Sequence, residues 1–364
     1  MDIIEHFRNI PDPRIERCKL HPLESIIALT VISVICGAEG WETIEEFGKS
    51  KEEFLKTIIP LPHGIPSHDT LERVFERLNP IKFEEVFMAW CKQIHQKSEG
   101  QFISIDGKTI RGSRDTFVGK SAIHLVSAWA CENHIVLGHV KVAGKDNEIQ
   151  AIKELLTLLD LSGSVITIDA MGCQKAIAQQ IIEKEADYIL AVKGNQEELF
   201  IQIINLFEKR IPDNKDEWLD KDHGRIETRT CTIINNLDWI EEEKSQWCSL
   251  NTVIKIEAKR EVQGKTSTEV RYYISSLKEN ANYFNKAIRG HWGIENSQHW
   301  VLDVGFREDE SRKRKGYSDE NFAIVRRIAL NAIKKEKSTR MGVNNKRLKA
   351  GWNDNYLISI LKNL

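Results

Sequence analysis

Two kinds of hydrophobic patterning divide the chain. Through residues 1–98 the apolar positions recur at helical spacing, in short segments parted by Pro-containing turns. After the Asp12-Pro13-Arg14 turn, the apolar run SIIALTVISVICGA at 25–38 predicts a buried helix over about 23–37. ETIEEFGKSKEEFLKTI predicts an amphipathic helix over 42–58, and TLERVFERL a further one opened by Asp69 and Glu72 as a capping box. KFEEVFMAWCKQIHQK predicts the last helix of the block. The block reads as a small N-terminal helical domain over 1–98, of helix-turn-helix type or simply a packing bundle.

From residue 101 the period changes to that of strands. FISID, HLVSAWA (124–130) and HIVLGHVKVA (134–143) follow one another. A helix NEIQAIKELLTLL, a strand SVITIDA (164–170), a helix CQKAIAQQIIEKEA and a strand DYILAVK (187–193) come next. Three consecutive strands followed by alternating helices and strands predict a mixed α/β sheet covered by helices. That order matches the ribonuclease-H-like fold, an antiparallel meander extended by parallel strands. Residues 197–222 read as helix and then loop. From 225 to about 276 the pattern is β-rich again, with turns at Asn235-Asn236 and Gln263-Gly264, so an insertion is expected over about 223–277. Helical patterning then runs from about 280 to the end, so that a second domain is expected over residues 99–364, with a basic helical C-terminus over about 311–364.

Composition changes this picture little. Hydrophobic residues make up 41% and charged residues 29%, which suits a packed core rather than disorder. The net charge is −2, but its distribution is uneven: 311–350 holds 13 Lys or Arg against 3 acidic residues, so that segment carries +10 and the remainder −12. A basic C-terminal region on an acidic body is the footprint of a polyanion partner, or else a solvated helix face. The seven cysteines are scattered and form no C-x-x-C, which fits a reducing, cytoplasmic setting and excludes a zinc ribbon. The 14-residue apolar run at 25–38 is too short to span a bilayer, so no membrane association is expected.

Two strands end alike. QFISIDGK places Asp106, and VITIDAMG places Asp169, after an apolar-patterned run. On neighbouring strands the two carboxylates meet at one sheet edge, about 4.8 Å apart per strand step. Hard divalent cations take such oxygen ligands, and two ions suit in-line phosphoryl displacement. The plain alternatives are an Asp-Gly turn at Asp106 and a helix cap at Asp169. Glu295 supplies a third acid, with His291 and His299 four residues to either side on one helix face. Those three residues also spell a zinc site, but zinc leaves the paired strand-end aspartates unexplained.

Long collinear segments of the chain resemble the H-repeat-associated insertion-sequence transposases, a branch of the DDE transposases with a β insertion in a ribonuclease-H-like domain. The likeness runs through DPRIERCKLHPL, GAEGWETIEEFG and LPHGIPSHDTLERVF, then IDGKTIRGS, ITIDAMGCQKAIA, DYILAVKGNQ, DHGRIETR and IRGHWGIENSQHWVLDVGFREDESR. The resemblance implies a catalytic, metal-binding triad of Asp106, Asp169 and Glu295, with Mg²⁺ as cofactor and Mn²⁺ as substitute. It implies cleavage at the ends of an element in double-stranded DNA and 3′-OH transfer into target DNA, by a homodimer on the nucleoid. Many relatives carry a Tyr, an Arg before the Glu and a Lys after it. Here His291 stands at the Arg position and Leu302 near the Lys position. DNA positioning then falls to His291, Arg289 or His299. Lys108, Arg111, Lys193 and Arg225 are further candidate phosphate contacts, and Arg326 and Arg327 are expected to grip DNA from the C-terminal helices. The competing readings are a ribonuclease-H-type nuclease that cuts without joining, and a transposon-derived protein that binds DNA without cutting.

Overall fold

The computed structural model describes residues 2–95, 99–142, 147–222, 225–262 and 265–364. The N-terminal block folds as α1 (Asp2–Phe7), α2 (Leu23–Ile35), α3 (Trp41–Ser50), α4 (Glu52–Leu55), α5 (His68–Arg77) and α6 (Pro80–Ile94). Buried residues occur all round α2 and include Thr30 and Ser33, whose hydroxyls donate to the carbonyls of Ile26 and Leu29 one turn back. The stretch Glu16–Ile35 is long and apolar enough to cross a membrane by length and composition, yet 72% of that window is packed inside the fold. The predicted helix over 42–58 breaks at Lys51 into α3 and α4. Helix α5 is capped two residues earlier than Asp69 and Glu72 would have it. Ser67 sits in extended backbone and its Oγ accepts the Thr70 N–H at 3.4 Å.

The rest of the chain builds one nine-stranded sheet. Its core strands are β1 (Phe102–Ile110), β2 (Ile123–Ala130), β3 (Ile135–Lys141), β4 (Val165–Ile168) and β5 (Asp187–Val192). Helices α7 (Glu148–Leu158), α8 (Lys175–Glu183) and α9 (Glu197–Lys209) cover one face. Strands β6 (Asn214–Asp222), β7 (Arg225–Ile234), β8 (Thr252–Val262) and β9 (Lys265–Ser275) complete the sheet, with α10 (Glu241–Ser245) between β7 and β8. The order is β3-β2-β1-β4-β5-β9-β8-β7-β6. Pairing is antiparallel within β1–β3, parallel for β1/β4 and β4/β5, and antiparallel from β5/β9 outward. The first five strands thus have the ribonuclease-H-like arrangement, and the mixed α/β class expected from the pattern holds.

One boundary differs from the sequence reading. The β-rich segment begins at Asn214 in β6 (NKDEWLDKD), a strand whose mostly charged sequence gives no apolar alternation. The segment also adds its strands to the existing sheet, with β9 laid along β5, instead of forming a separate layer. Its outer half projects past the core, since the first six residues of β9 are exposed. The expected turn at Gln263-Gly264 falls outside the described residues.

Helix α11 (Ala281–Gly293) packs Phe284, Ala287 and Ile288 on the opposite face of the sheet, against Val165, Ile189 and Ile254. It runs through a π-helical turn, Ile294–His299, into α12 (Trp300–Phe306). The chain closes with α13 (Ser318–Lys335), α14 (Val343–Trp352) and α15 (Asp354–Leu361). These last helices share one hydrophobic core with the N-terminal block: Phe322, Ile328 and Leu357 pack in the same cluster as Phe7, Ile26 and Phe87.

Candidate active site

The site forms where the parallel ladder runs out. Pairing between β1 and β4 ends at Ile105 opposite Ile168, so Asp106 and Asp169 come next on adjacent strands. Strand β1 does not stop at Asp106, as an Asp-Gly turn would require. It continues to Ile110 on β2, with Asp106 opposite Ser127 and Ile110 opposite Ile123. Gly107 therefore makes no turn. It leaves room, because a Cβ there would stand 2.5 Å from His124 Nε2 and 2.7 Å from Glu148 Oε1. Asp169 is held by the loop after β4: its Oδ1 accepts the N–H groups of Met171 at 3.0 Å and Gly172 at 3.4 Å. Helix α8 starts later, after Gln174, so Asp169 is not its cap.

Glu295 approaches from the other side, on the π turn. A π turn inserts one extra residue into a helix and rephases the residues beyond it. His291 before it faces inward, with Nδ1 2.9 Å from Thr167 Oγ1, and Thr167 in turn donates to Ser104 at 3.0 Å. His299 at the end of the π turn puts Nδ1 3.5 Å from Asp106 Oδ2. Glu295 between them is exposed in a cleft.

The charges show how near these groups lie. Burial first, then the Asp169 carboxylate and more weakly Glu295 and Glu148, push Asp106 up to about 7. Burial and Glu148 raise Asp169, against the loop N–H groups and Lys193. Burial and Asp169 raise Glu295, against Arg271. Burial drives His291 down to about 4. Burial, with Lys108 and Arg327, drives His299 down to about 3, so both rings are neutral near pH 7. The donor set is all oxygen and the carboxylates repel one another, which suits a hard divalent cation. Among the described residues no three His, Cys, Asp or Glu side chains are arranged to hold an ion unaided. The trio His291, Glu295 and His299 is thus no zinc cage, and a cation here would draw the rest of its ligands from water and substrate.

The expected phosphate contacts fare unevenly. Lys108 is buried and meets three carboxylates, Asp303 at 2.7 Å, Asp309 at 3.2 Å and Glu308 at 3.5 Å. Because β1 continues past Asp106, Lys108 belongs to the interior and is not a phosphate contact. Arg111 keeps a side chain 85% exposed, with Nε 3.6 Å from Asp309. Lys193 is exposed just beyond β5 and close enough to Asp169 to lower its pKa. Arg225 opens β7, but its side chain lies outside the described residues. Arg289 stacks 3.7 Å over Trp218 and pairs with Asp220 at 3.1 Å. His291 and His299 face inward and do not present themselves to DNA.

Arg326 and Arg327 are 2% and 0% exposed. Arg327 pairs with Glu308 at 2.9 Å and Arg326 with Glu39 at 3.4 Å. They cannot grip DNA; α13 is buried nearly throughout, and its arginines neutralise acids inside the fold.

Two kinds of residue went unrecognised in the sequence. Glu148 opens α7 and pairs with His124 Nε2 at 3.2 Å, adding a fourth carboxylate to the group. Strands β7–β9 contribute Arg229, Arg260 and Arg271 to the cleft beside Glu295. Only the sheet register, which runs through a long insertion, brings those arginines there.

Comparison with known proteins places the chain in a family. The Transposase DDE domain family matches residues 97–332, and the DDE_Tnp_1-associated family matches 4–91. The chain is 42% identical over 370 aligned residues to "Putative transposase YncI" of Escherichia coli O157:H7, covering 99% of this chain and 94% of that one. It is 40% identical over 367 to "H repeat-associated putative transposase YhhI" of Escherichia coli strain K12, covering 99% and 97%. A cryo-EM structure of a piggyBac transposase synaptic complex with hairpin DNA aligns at 12% identity and a TM-score of 0.47, covering 100% of this chain and 80% of that one, a likeness too slight to bear on the site. With family matches across both blocks and relatives at this identity along the whole chain, the protein belongs to the DDE transposases, in the H-repeat-associated group.

Proposed function

We propose that this transposase cuts DNA at the ends of its element and joins the freed 3′-OH to target DNA, with Asp106, Asp169 and Glu295 as the catalytic carboxylates. Support for the reading comes from Asp106 and Asp169, which follow the last paired residues of the β1/β4 ladder, Ile105 and Ile168, and from Glu295 on the nearby π turn, whose charge bears on Asp106. These three would hold the divalent cations, Mg²⁺ or Mn²⁺ in its place. Bound there, the cations supply charge neutralisation and activation of the attacking oxygen for in-line displacement.

The chain's own groups do the positioning. Asp169 has one oxygen fixed by two backbone N–H groups, which leaves the other free to ligate. Neutral His299 stands beside Asp106, its Nδ1 3.5 Å from Oδ2, and does not cancel the carboxylate's charge. Exposed Lys193 meets a phosphate that approaches Asp169. Water attacks the scissile phosphate and the 3′ oxygen leaves as a 3′-OH; that hydroxyl then attacks a target phosphodiester in the same place, giving up its proton as the target strand's own 3′ oxygen leaves and takes one. Cutting two ends in one complex calls for two copies of the site, hence a homodimer assembled on double-stranded DNA at the nucleoid.

The test uses DNA bearing the element's own flanks. Asp106→Asn, Asp169→Asn and Glu295→Gln are each expected to lower cleavage by about 10³-fold or more, with DNA binding retained. Calorimetric Mn²⁺ titration should show weakened binding in the same variants. Full cleavage by all three would sink the assignment. Cleavage without joined product would favour a nuclease.

A further inference from the structure

A cleft of about 440 Å³ lies between the face of β7–β9 and the helix that carries Glu295. Four guanidiniums line it, those of Arg229, Arg260, Arg271 and Arg289. Most are already engaged. Arg271 bonds Glu269 at 2.7 Å and stacks 4.3 Å over Trp292. Arg289 is held by Asp220 and Trp218, and Arg260 reaches Glu227 at 3.2 Å.

Arg229 is the exception. It is only 9% exposed, its Nε and Nη1 have no hydrogen-bond partner, and its Nη2 reaches Glu227 at 3.5 Å. Glu227 is shared with Arg260, so one carboxylate serves two cations. A buried guanidinium with unmade hydrogen bonds has lost its water without a full replacement, which is costly. A ligand that accepts from it removes that cost. Asp220 answers Arg289 and Glu269 answers Arg271, which leaves Glu227 alone between Arg229 and Arg260, so that pair carries one positive charge more than its carboxylate meets. A phosphodiester carries one negative charge and two free oxygens, which the planar fork of an arginine meets in a bidentate way.

We infer that this cleft is a phosphate subsite, in which Arg229 and Arg271 hold a backbone phosphate of the DNA strand that runs past Glu295. The inference rests on the transposase reading for the strand's identity, but it concerns binding and needs no chemistry. It also accounts for the departure at position 291. With His291 turned inward onto Thr167, the cation next to the acidic group comes from strands of the β insertion instead of from the helix.

The experiment is done on the full chain without divalent cations, so that no cutting takes place. Binding of a fluorescein-labelled oligothymidylate is followed by anisotropy over a range of KCl concentrations, with thymidine 5′-monophosphate as competitor. The variants are Arg229→Gln and Arg271→Gln, with Arg210→Gln as a remote control. Arg229→Lys tests whether charge alone suffices, and thermal melting checks each fold. Each Gln variant is expected to bind about tenfold more weakly and to lower the salt slope by about 0.7, the single-strand value for one lost phosphate contact.

Should Arg229→Gln melt early, the half-exposed Arg271 carries the test alone. Unchanged affinity and slope in folded Arg271→Gln would overturn the proposal, as would a wild type that does not bind. Competition by the monophosphate as strong as by unlabelled oligonucleotide would overturn the strand assignment. If the variants lose binding while wild-type protein never cleaves, the subsite stands and the catalytic reading falls. If cleavage depends on Asp106 but the variants bind as wild type does, the reverse holds.

Discussion

Asp106 is the residue at which stability and activity pull apart. Its pKa is about 7 in the fold against an ordinary 3.8, so the folded state keeps a proton that the unfolded chain has lost. The group's contribution to stability is therefore largest below about pH 4 and declines as pH rises toward 7. In cation-free protein Asp106→Asn is expected to remove that decline and to stabilise the fold near pH 7 by on the order of 2 kcal/mol. Denaturant midpoints at several pH values check it, and a less stable variant at pH 7 would contradict the mutual repulsion of the carboxylates. The aspartates were legible in the sequence because each comes after an apolar run in a matching context. Lys108 was not, because a cation two residues past a carboxylate reads the same whether the strand ends or continues. Only the β1/β2 pairing decides that Lys108 turns toward Asp303 and Glu308.

Among the elements, the π turn at Ile294–His299 does the most to shape the site. One residue removed from it restores an ordinary helix and leaves α12 in phase with α11, so that Leu302 and Phe306 still reach the core. Deletion of exposed Asn296 is thus expected to leave the melting temperature within about 4 °C of wild type while abolishing cleavage, since Glu295 and His299 lose their relation to Asp106. Circular dichroism melting beside a cleavage assay tests this, and retained cleavage would show that the turn is incidental. The helix itself was evident from its spacing, whereas the π turn has no compositional mark. Strand β6 was missed for a related reason: its charged residues pair along an outer edge of the sheet where no apolar face is needed.

Across the whole molecule, four of the 13 cations in the basic C-terminal segment turn out to be internal: Arg326, Arg327, Lys346 and Arg347. Arg327 pairs with Glu308, Arg326 and Arg347 with Glu39, and Lys346 with Glu336. A count of charges along the chain cannot separate such pairs from a DNA-binding face, because the acids that answer them lie up to hundreds of positions away. Breaking one pair strands a buried charge. Arg327→Met is expected to cost about 3–5 kcal/mol by leaving Glu308, at 0% exposure, with only Lys108 at 3.5 Å to answer it, and adding Glu308→Leu should restore most of it. Chemical denaturation of the single and double variants measures this, and a single variant as stable as wild type would mean that Glu308 finds another partner.

The core that joins the first helices to the last has a consequence for how the protein is made. Phe7, Ile26 and Phe87 leave the ribosome early, but Phe322, Ile328 and Leu357, which cover them, emerge only near the end of synthesis. Until then the N-terminal block carries an uncovered apolar face and cannot settle into its final packing. A message cut short by a frameshift or a stop codon before α13 would yield a chain with its aspartates and sheet strands written correctly and no finished platform to hold them. An element that decays from its 3′ end therefore loses a foldable product well before it loses Asp106, Asp169 and Glu295.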